Sequence, residues 1–449
     1  MKKAMTEGNA WKQILMFALP LLLGNLFQQT YNMADAAIVG QTLGSDALAA
    51  VGSSSSIQFM VLGFCQGITT GFAIPVSVAF GAGREDKMRQ YIYNAGILCV
   101  ITAAILTGLT VFLCHGIIQL LNAPADIAGN AYTYLLIIFI GIPCTILYNI
   151  LSAILRAVGD SRTPFLFLAF SSLLNIGLDF YCILSLGWGV AGAAIATVFS
   201  QGVSGILCWI LIARKFHFLI PSGSERKTDR DMVNRLLGQG LPMGFQFSII
   251  AIGSMVMQIA NNSLGTTYIS GFAAGIKIKQ FTMCPFDALG AAVSTFIAQN
   301  RGARNIDRIK TGFKVGVTTA VVYGILAGVF LVTMGRTMSL LFVSGDETAV
   351  LDASSAYLRA LGFFYWLLGL LIVMRMSVQG AGWSRRALFA GMLEMIARTL
   401  VAGLLTSRFG FTVICYTDQC AWMSAFIYLI PTWISAMKYA EQEIRKETA

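Results

Sequence analysis

Charge is what this chain has least of. Asp, Glu, Lys and Arg together make up 12% of its 449 residues, against about 25% in a typical soluble domain. Too few charges remain to wet an ordinary surface, which excludes a soluble enzyme, a disordered protein and a secreted disulfide scaffold. The nine cysteines lie in or beside apolar stretches with no CxxC spacing, and only two histidines occur. That excludes a disulfide framework and a Cys/His metal centre and leaves the cysteines as small buried hydrophobes. No G-x-x-x-x-G-K-[ST] loop is present, so ATP does not drive the protein directly. His115 and His217 stand alone and no nucleophile motif accompanies them. A membrane-anchored enzyme or scaffold, which would need a catalytic cluster at one membrane face, therefore has no residues to rest on, and no catalytic residue is expected. The lead MKKAMTEGNAWKQ has no cleavage pattern behind a short apolar core, so the first apolar run is expected to stay as a span.

What the chain does have is hydrophobic length: 56% of it is apolar. At roughly 20 residues per helical span, the apolar runs divide into twelve helices, with cores at 14–38, 47–80, 90–114, 127–155, 163–186, 188–213, 233–261, 267–298, 309–334, 348–378, 387–407 and 411–437. The expected fold class is an all-α polytopic membrane protein. Lys and Arg set its orientation. The N-terminus, the loops after even-numbered spans and the C-terminal tail hold 25 of the 31, which by the positive-inside rule puts both termini in the cytoplasm of a multi-pass inner or plasma membrane protein. The net charge of +10 follows from those loops and does not point to nucleic acid.

The chain also repeats itself. GAGREDKM at 81–88 aligns with GARNIDRI at 302–309, and Leu43-Gly44 with Leu264-Gly265, both at an offset of 221. AVGDSR at 157–162 mirrors GAGWSR at 380–385. These matches fall in polar loops, where apolar composition does not force them. Two six-helix bundles of like orientation follow, 1–213 and 232–449, joined by a cytoplasmic loop at 214–231. Such duplication is typical of secondary transporters, whose path runs between the halves.

Ionisable groups inside a bilayer are costly and are functional candidates by default. Five acids qualify: Asp35, Asp179, Asp287, Glu394 and Asp418. At 1.5 Å of rise per residue, Asp35 and Asp179 fall in the outer half of the first repeat, with Thr197 somewhat deeper. Asn175 lies one turn before Asp179 on the same face. Two carboxylates, an amide and a hydroxyl from spans 1, 5 and 6 can take a proton or a dehydrated Na⁺, and either ion would change how the helices pack. The plainer alternatives are a hydrated Asp35 where span 1 ends and an interhelical bond from Asn175. In the second repeat, Asp287 is expected to pair with Lys277 or Lys279, and Glu394 with Arg398 one turn away, as structural or gating ion pairs. Asp418 is placed to line the second half's cavity. Gln28, Tyr31 and Asn149 are candidate substrate contacts in the first half, with Tyr365, Gln379 and Trp422 weaker ones in the second. Nineteen methionines and 11% aromatics can supply adaptable apolar walls.

At these residues the chain resembles the multidrug and toxic compound extrusion (MATE) family over essentially its whole length. The motifs that carry the resemblance are ALPLLLGNLFQQTYNMADAAIVGQTLGSDALAAVG at 18–52, AVGDSRTPF at 157–165 and NIGLDFYCILSLGWGVAGAAIATVFSQ at 175–201. The resemblance implies a pair of six-helix bundles exporting amphipathic, usually cationic compounds against H⁺ or Na⁺, with no other cofactor and as a monomer. It is closest to the branch that keeps its cation site in the N-terminal lobe, whose functional residues fall on Pro20, Tyr31, Asp35, Asn149, Asn175, Asp179 and Thr197. In that branch span 1 bends at its proline, a role that Pro20 would take because proline removes a backbone hydrogen bond. Another branch keeps acids in spans 7 and 10, and here the cores of both lack one. The superfamily also includes lipid-linked oligosaccharide flippases, the alternative substrate class.

Overall fold

A computed structural model describes residues 4–120 and 125–448; Lys2 and Lys3 of the charged lead lie outside them. The described residues form thirteen α-helices and no strand. They are α1 (Ala10–Leu43), α2 (Ser45–Gly81), α3 (Glu85–Leu120), α4 (Ala125–Ile140), α5 (Ile142–Ala157), α6 (Arg162–Phe180), α7 (Gly189–Lys215), α8 (Arg230–Asn262), α9 (Thr266–Gly302), α10 (Ile306–Ser339), α11 (Thr348–Gly380), α12 (Ser384–Phe409) and α13 (Phe411–Thr448). Eleven helical segments are long and apolar enough to cross a membrane by themselves, and α4 with α5 makes a twelfth span.

That twelfth span is broken where the sequence reads one helix over 127–155. It bends by 46° at Gly141-Ile142-Pro143. Pro143 cannot donate to the preceding turn, and Gly141 leaves no room for a side chain, since a Cβ there would lie 2.2 Å from Val198 Cγ2 on α7. Close packing against α7 therefore fixes the bend.

The internal repeat extends to backbone conformation. Gly44 and Gly265, which precede α2 and α9 at the offset of 221, have φ of 89° and 101°. Gly159 and Gly382, at the offset of 223, have φ of 84° and 86°. Arg304, the counterpart of Gly83, is the one described non-glycine residue with positive φ, at 57°. Both sites end their helix with the same bond, from Arg84 N to Ala79 O and from Asn305 N to Asn300 O. The turn is thus kept where its glycine is not.

The chain divides into two compact units, and two of the three divisions fall inside helices. The first unit comprises Met1–Ala4 and Leu23–Gly244, the second Met5–Leu22 and Phe245–Ala449. The loop at 214–231 thus belongs to the first unit along with the opening turns of α8, and the opening turns of α1 belong to the second. Each of the two divisions within a helix comes just after a proline, Pro20 in α1 and Pro242 in α8.

Small residues set the closest approaches within each unit. In the first, Gly67 and Gly71 of α2 lie against the backbone of Met243 and Gly240 in α8. In the second, Gly328 of α10 meets the carbonyl of Gly362 in α11. Glycine-lined contacts of this kind are how apolar helices gain packing where no hydrophobic effect separates them from lipid. The segments entering α1 and α8 are tied down alike. In the second unit the Met5 carbonyl accepts from Asn300 Nδ2 at 3.0 Å and Arg308 Nη2 at 3.1 Å. In the first, the Lys227 carbonyl accepts from Asn94 Nδ2 at 3.1 Å. Arg89 grips Glu225 with two nitrogens, Nε at 2.8 Å and Nη2 at 2.7 Å, fastening the mid-chain loop to α3.

Two tests follow from these details. Gly265 has open space where a Cβ would go, so Gly265→Ala isolates backbone strain; it should cost about 1–3 kcal/mol, seen as a lower melting temperature in detergent, whereas Ala at helical Gly96, also open, should cost nothing of that kind. The Arg89 guanidinium holds the Glu225 carboxyl below its ordinary value, down to about 2. A depressed carboxylate value adds stability above the unfolded value, lost as pH falls through the folded one. Proteolysis of the 214–231 loop should therefore rise as pH drops from about 4.5 toward 2, and in Glu225→Gln the loop should be cut readily at neutral pH.

Candidate functional site

The first unit gathers its polar membrane residues at one place. The second part of α1 contributes Tyr31 and Asp35, α6 contributes Asn175 and Asp179 one turn apart, and α7 contributes Thr197. Asn175, Asp179 and Thr197 are buried at 2%, 0% and 8% exposure, and Asp35 is half-buried. Thr197 Oγ1 donates to its own helix at Ala193 O, 3.0 Å away, and accepts from Asn175 Nδ2 at 3.3 Å. The Asp35 and Asp179 carboxyls are close enough to act on each other electrostatically. The expected set of Asp35, Asn175, Asp179 and Thr197 is thus assembled in one unit.

What it lacks is donors. Asp35 Oδ1, both Asp179 carboxyl oxygens and Asn175 Oδ1 are buried without a hydrogen-bond partner. Buried oxygens are nearly always satisfied in native structures, and here four acceptors on three residues have no hydrogen-bond donor among the described residues. Such a set fits a proton or a small hard cation with oxygen preference. Apolar residues shield it: Ile38, Val39, Ile138, Ile183, Ala193 and Ala194 form one buried cluster. The chain leaves α-geometry just after Asp179, with a π-turn over Tyr181–Ser185, a distortion frequent at functional sites. Gly192 of α7 comes close to that turn, its Cβ position 3.1 Å from Cys182 Cβ.

Two neighbours escape the sequence reading. The Tyr134 hydroxyl on α4 lies within electrostatic reach of both acids and of Tyr31, and within hydrogen-bonding reach of Gln58 on α2. Gln58 carries a signal, as an amide inside an apolar span; Tyr134 carries none. Of the expected substrate contacts, Tyr31 adjoins the acids, whereas Gln28 is exposed and Asn149 half-buried, with no hydrogen bond tying either to the cluster. Pro20 is buried in the second unit's share of α1.

The second unit solves the same problem by pairing. Asp418, 1% exposed, is held by Lys279, by Arg398 Nε at 2.9 Å and by the Tyr357 hydroxyl at 3.4 Å. It is therefore locked in the core, contrary to the expectation that it lines a cavity. Glu394 takes Arg398 at 3.6 Å, as the turn spacing suggests, and also Arg375. Arg375 reads from the sequence as one of the cytoplasmic-side charges; the structure buries it inside α11 at 7% exposure. The expected pairing of Asp287 with Lys277 or Lys279 does not occur. Lys279 is consumed by Asp418, and Asp287 makes no ion pair among the described residues. Tyr365, Gln379 and Trp422 are likewise turned inward. Tyr365 bonds Thr282 at 2.6 Å, Gln379 bonds Gln246 at 2.8 Å, and Trp422 lies under the Lys279 ammonium at 5.5 Å. Cation–π contact and ion pairing together fix that lysine.

Removing one partner from a buried ion network leaves the others uncompensated, at about 3–5 kcal/mol. Asp418→Asn should lower the melting temperature in detergent far more than Asp35→Asn, whose carboxylate has no basic partner to strand.

Comparison with known proteins places these two sites in context. A MatE family model matches residues 20–181 and 242–404, one match in each half. The probable multidrug resistance protein YpnP of Bacillus subtilis is 31% identical over 416 residues, covering 91% of this chain and 89% of that protein. A FAD transporter of Shewanella oneidensis is 24% identical over 364 residues, 80% of each chain. A solved outward-facing multidrug resistance MATE family transporter of the MOP superfamily superposes with a TM-score of 0.88 over 99% of this chain and 98% of that one, at 20% identity, which establishes the shared fold of two six-helix halves.

Proposed function

The chain belongs to the MatE family of multi-span membrane transporters, and from the chemistry of its first-unit site we propose that it is a secondary antiporter exporting amphipathic, mostly cationic small molecules in exchange for H⁺ or Na⁺. The observation that carries the coupling half of this reading is the group of four unpartnered oxygens on Asp35, Asn175 and Asp179. A proton or Na⁺ entering there supplies the missing positive charge, and α1, α6 and α7 then pack around a neutral centre. Loss of the ion restores repulsion between two carboxylates in a low-dielectric setting. The ion therefore favours one arrangement of these helices over another, which is the differential affinity that coupling needs.

Asp35 is on the part of α1 that packs with the first unit, while the turns from Ala10 to Leu22 pack with the second. Pro20 lies just ahead of that division and lacks the donor that would stiffen the helix there, so ion binding at Asp35 has a bendable connection through which to act. Tyr31, beside the acids, supports substrate and ion meeting on the same helix. The reading places both termini in the cytoplasm, on the distribution of Lys and Arg, in the inner or plasma membrane, and takes the transporter as a monomer needing no cofactor beyond its coupling ion.

The test is efflux of a cationic dye from proteoliposomes with a proton gradient or a Na⁺ gradient imposed separately. Gradient-driven efflux should fall at least about tenfold in Asp35→Asn, within the usual range of coupling energies, and one gradient alone should drive the wild type. Ion-driven efflux by Asp35→Asn at the wild-type rate would overturn the assignment.

A further inference from the structure

The seam between α10 and α11 is closed by glycines and opens beside them into a groove. Gly324 and Gly328 of α10 lie against the backbone of Trp366 and Gly362 in α11. Next to that contact Ile325, Val329, Val332, Phe363 and Trp366 wall a space of about 260 Å³. Val329 and Phe363 are 58% and 65% exposed, so the groove lies open on the surface of the second unit. Drug-sized ligands occupy about 300–1,000 Å³; this groove suits one flexible hydrocarbon chain. Trp366 Nε1 donates to its own helix at Phe363 O, 3.2 Å away, which leaves the ring to present carbon.

Charge is ordered along the same face. Asp352, Ala356, Arg359, Phe363 and Trp366 recur at helical spacing and are all exposed. Arg359, one turn from Phe363 toward the Thr348 end of α11, makes no ion pair or hydrogen bond among the described residues. Its backbone lies about 16 Å from that end at 1.5 Å per residue. Side chains lean toward the N-terminus of their helix, so the guanidinium reaches out of the apolar zone toward the head groups, as snorkelling arginines do. Asp352 is two turns farther along. It holds Arg336 at 3.2 Å with both side chains more than half exposed, and a carboxylate can accept further donors. Arg336 continues the α10 face of Ile325, Val329 and Val332, so this pair heads the groove. Asp346 and Glu347, just before α11, are exposed too. The order along the seam is therefore hydrocarbon, an unpaired base, then acid. A phospholipid complements it, with its phosphate above the chains and its ammonium beyond. A net-negative head would meet three carboxylates past the arginine.

We propose that the α10–α11 seam binds one phospholipid whose head is zwitterionic and can donate hydrogen bonds, of the phosphatidylethanolamine type. One acyl chain lies in the groove, the phosphate takes Arg359, and the ammonium donates to Asp352. With both termini in the cytoplasm, as proposed above, this lipid belongs to the outer leaflet. The site shares no residue with the Asp35 cluster and does not depend on which ion drives transport.

Trp366 reports on the groove, because brominated acyl chains quench tryptophan on contact. The full-length protein is placed in phosphatidylcholine bilayers with small fractions of brominated lipid, and subtracting the Trp366→Phe signal isolates Trp366. Brominated phosphatidylethanolamine should quench it at about one fifth of the mole fraction that brominated phosphatidylcholine needs, and brominated diacylglycerol, which lacks phosphate, should need about five times more; one charged contact at a membrane surface supports differences of that size. Asp352→Asn should erase the first difference and Arg359→Gln the second, while Arg359→Lys should keep the second. Brominated phosphatidylcholine should quench Trp366 alike in every variant, which a misfolded protein would not achieve. The site is overturned if the wild type shows neither difference or if either difference survives its own substitution. Brominated phosphatidylglycerol quenching as strongly as phosphatidylethanolamine would also overturn it, in favour of a general anion site.

Discussion

A bilayer offers no water to polar groups, so each one inside it must find a partner in the protein or mark a place where something from outside is received. Most of this molecule obeys the first half of that rule. Backbone groups are satisfied within helices, and Ser and Thr side chains bond back to their own turns, as Thr197 does to Ala193 and Thr282 to Ile278. The exceptions are therefore informative. In the first unit, four acceptor oxygens on three residues are buried without a donor; in the second, Asp287 is exposed in the middle of α9.

The two units answer the same constraint with opposite chemistry. The second packs Lys279, Arg375 and Arg398 against Glu394 and Asp418, and the attraction among them offsets a desolvation cost that none could bear alone. That network joins α9, α11, α12 and α13 into a stiff body. The first unit has acids without bases at its cluster, so its energy changes whenever a positive charge enters or leaves. The two halves share a common backbone, down to matching positive-φ positions at Gly44 and Gly265, and their side chains leave buried acids without bases in one half and pair them with bases in the other.

Much of the architecture was legible before any coordinates. Helix number, the repeat and the polar set of the first half follow from local properties: apolar length, loop charge and helical spacing. Asn175 and Asp179 share a face because they are four residues apart, and no tertiary information is needed to know it. The second half read less well for a physical reason. Electrostatic partners there come from different helices, so Lys279 pairs with Asp418 across 139 positions, although Asp287 is nearer in the chain. Arg375 illustrates the same limit, because a charge five residues from the end of its helix at Gly380 reads as a loop-side residue until packing buries it.

The sequence by itself determined the fold class, the number of spans, the internal repeat and the identity of the first-unit acids, because each rests on periodicity or composition that the chain carries locally. Only the tertiary structure decided which charges neutralise one another, that Tyr134 lies near the carboxylates, that the fourth span breaks at Gly141, and that α1 and α8 each divide just beyond a proline. Those outcomes depend on which helix lies beside which, and that adjacency is set by the packing of small residues and not by the order of the chain.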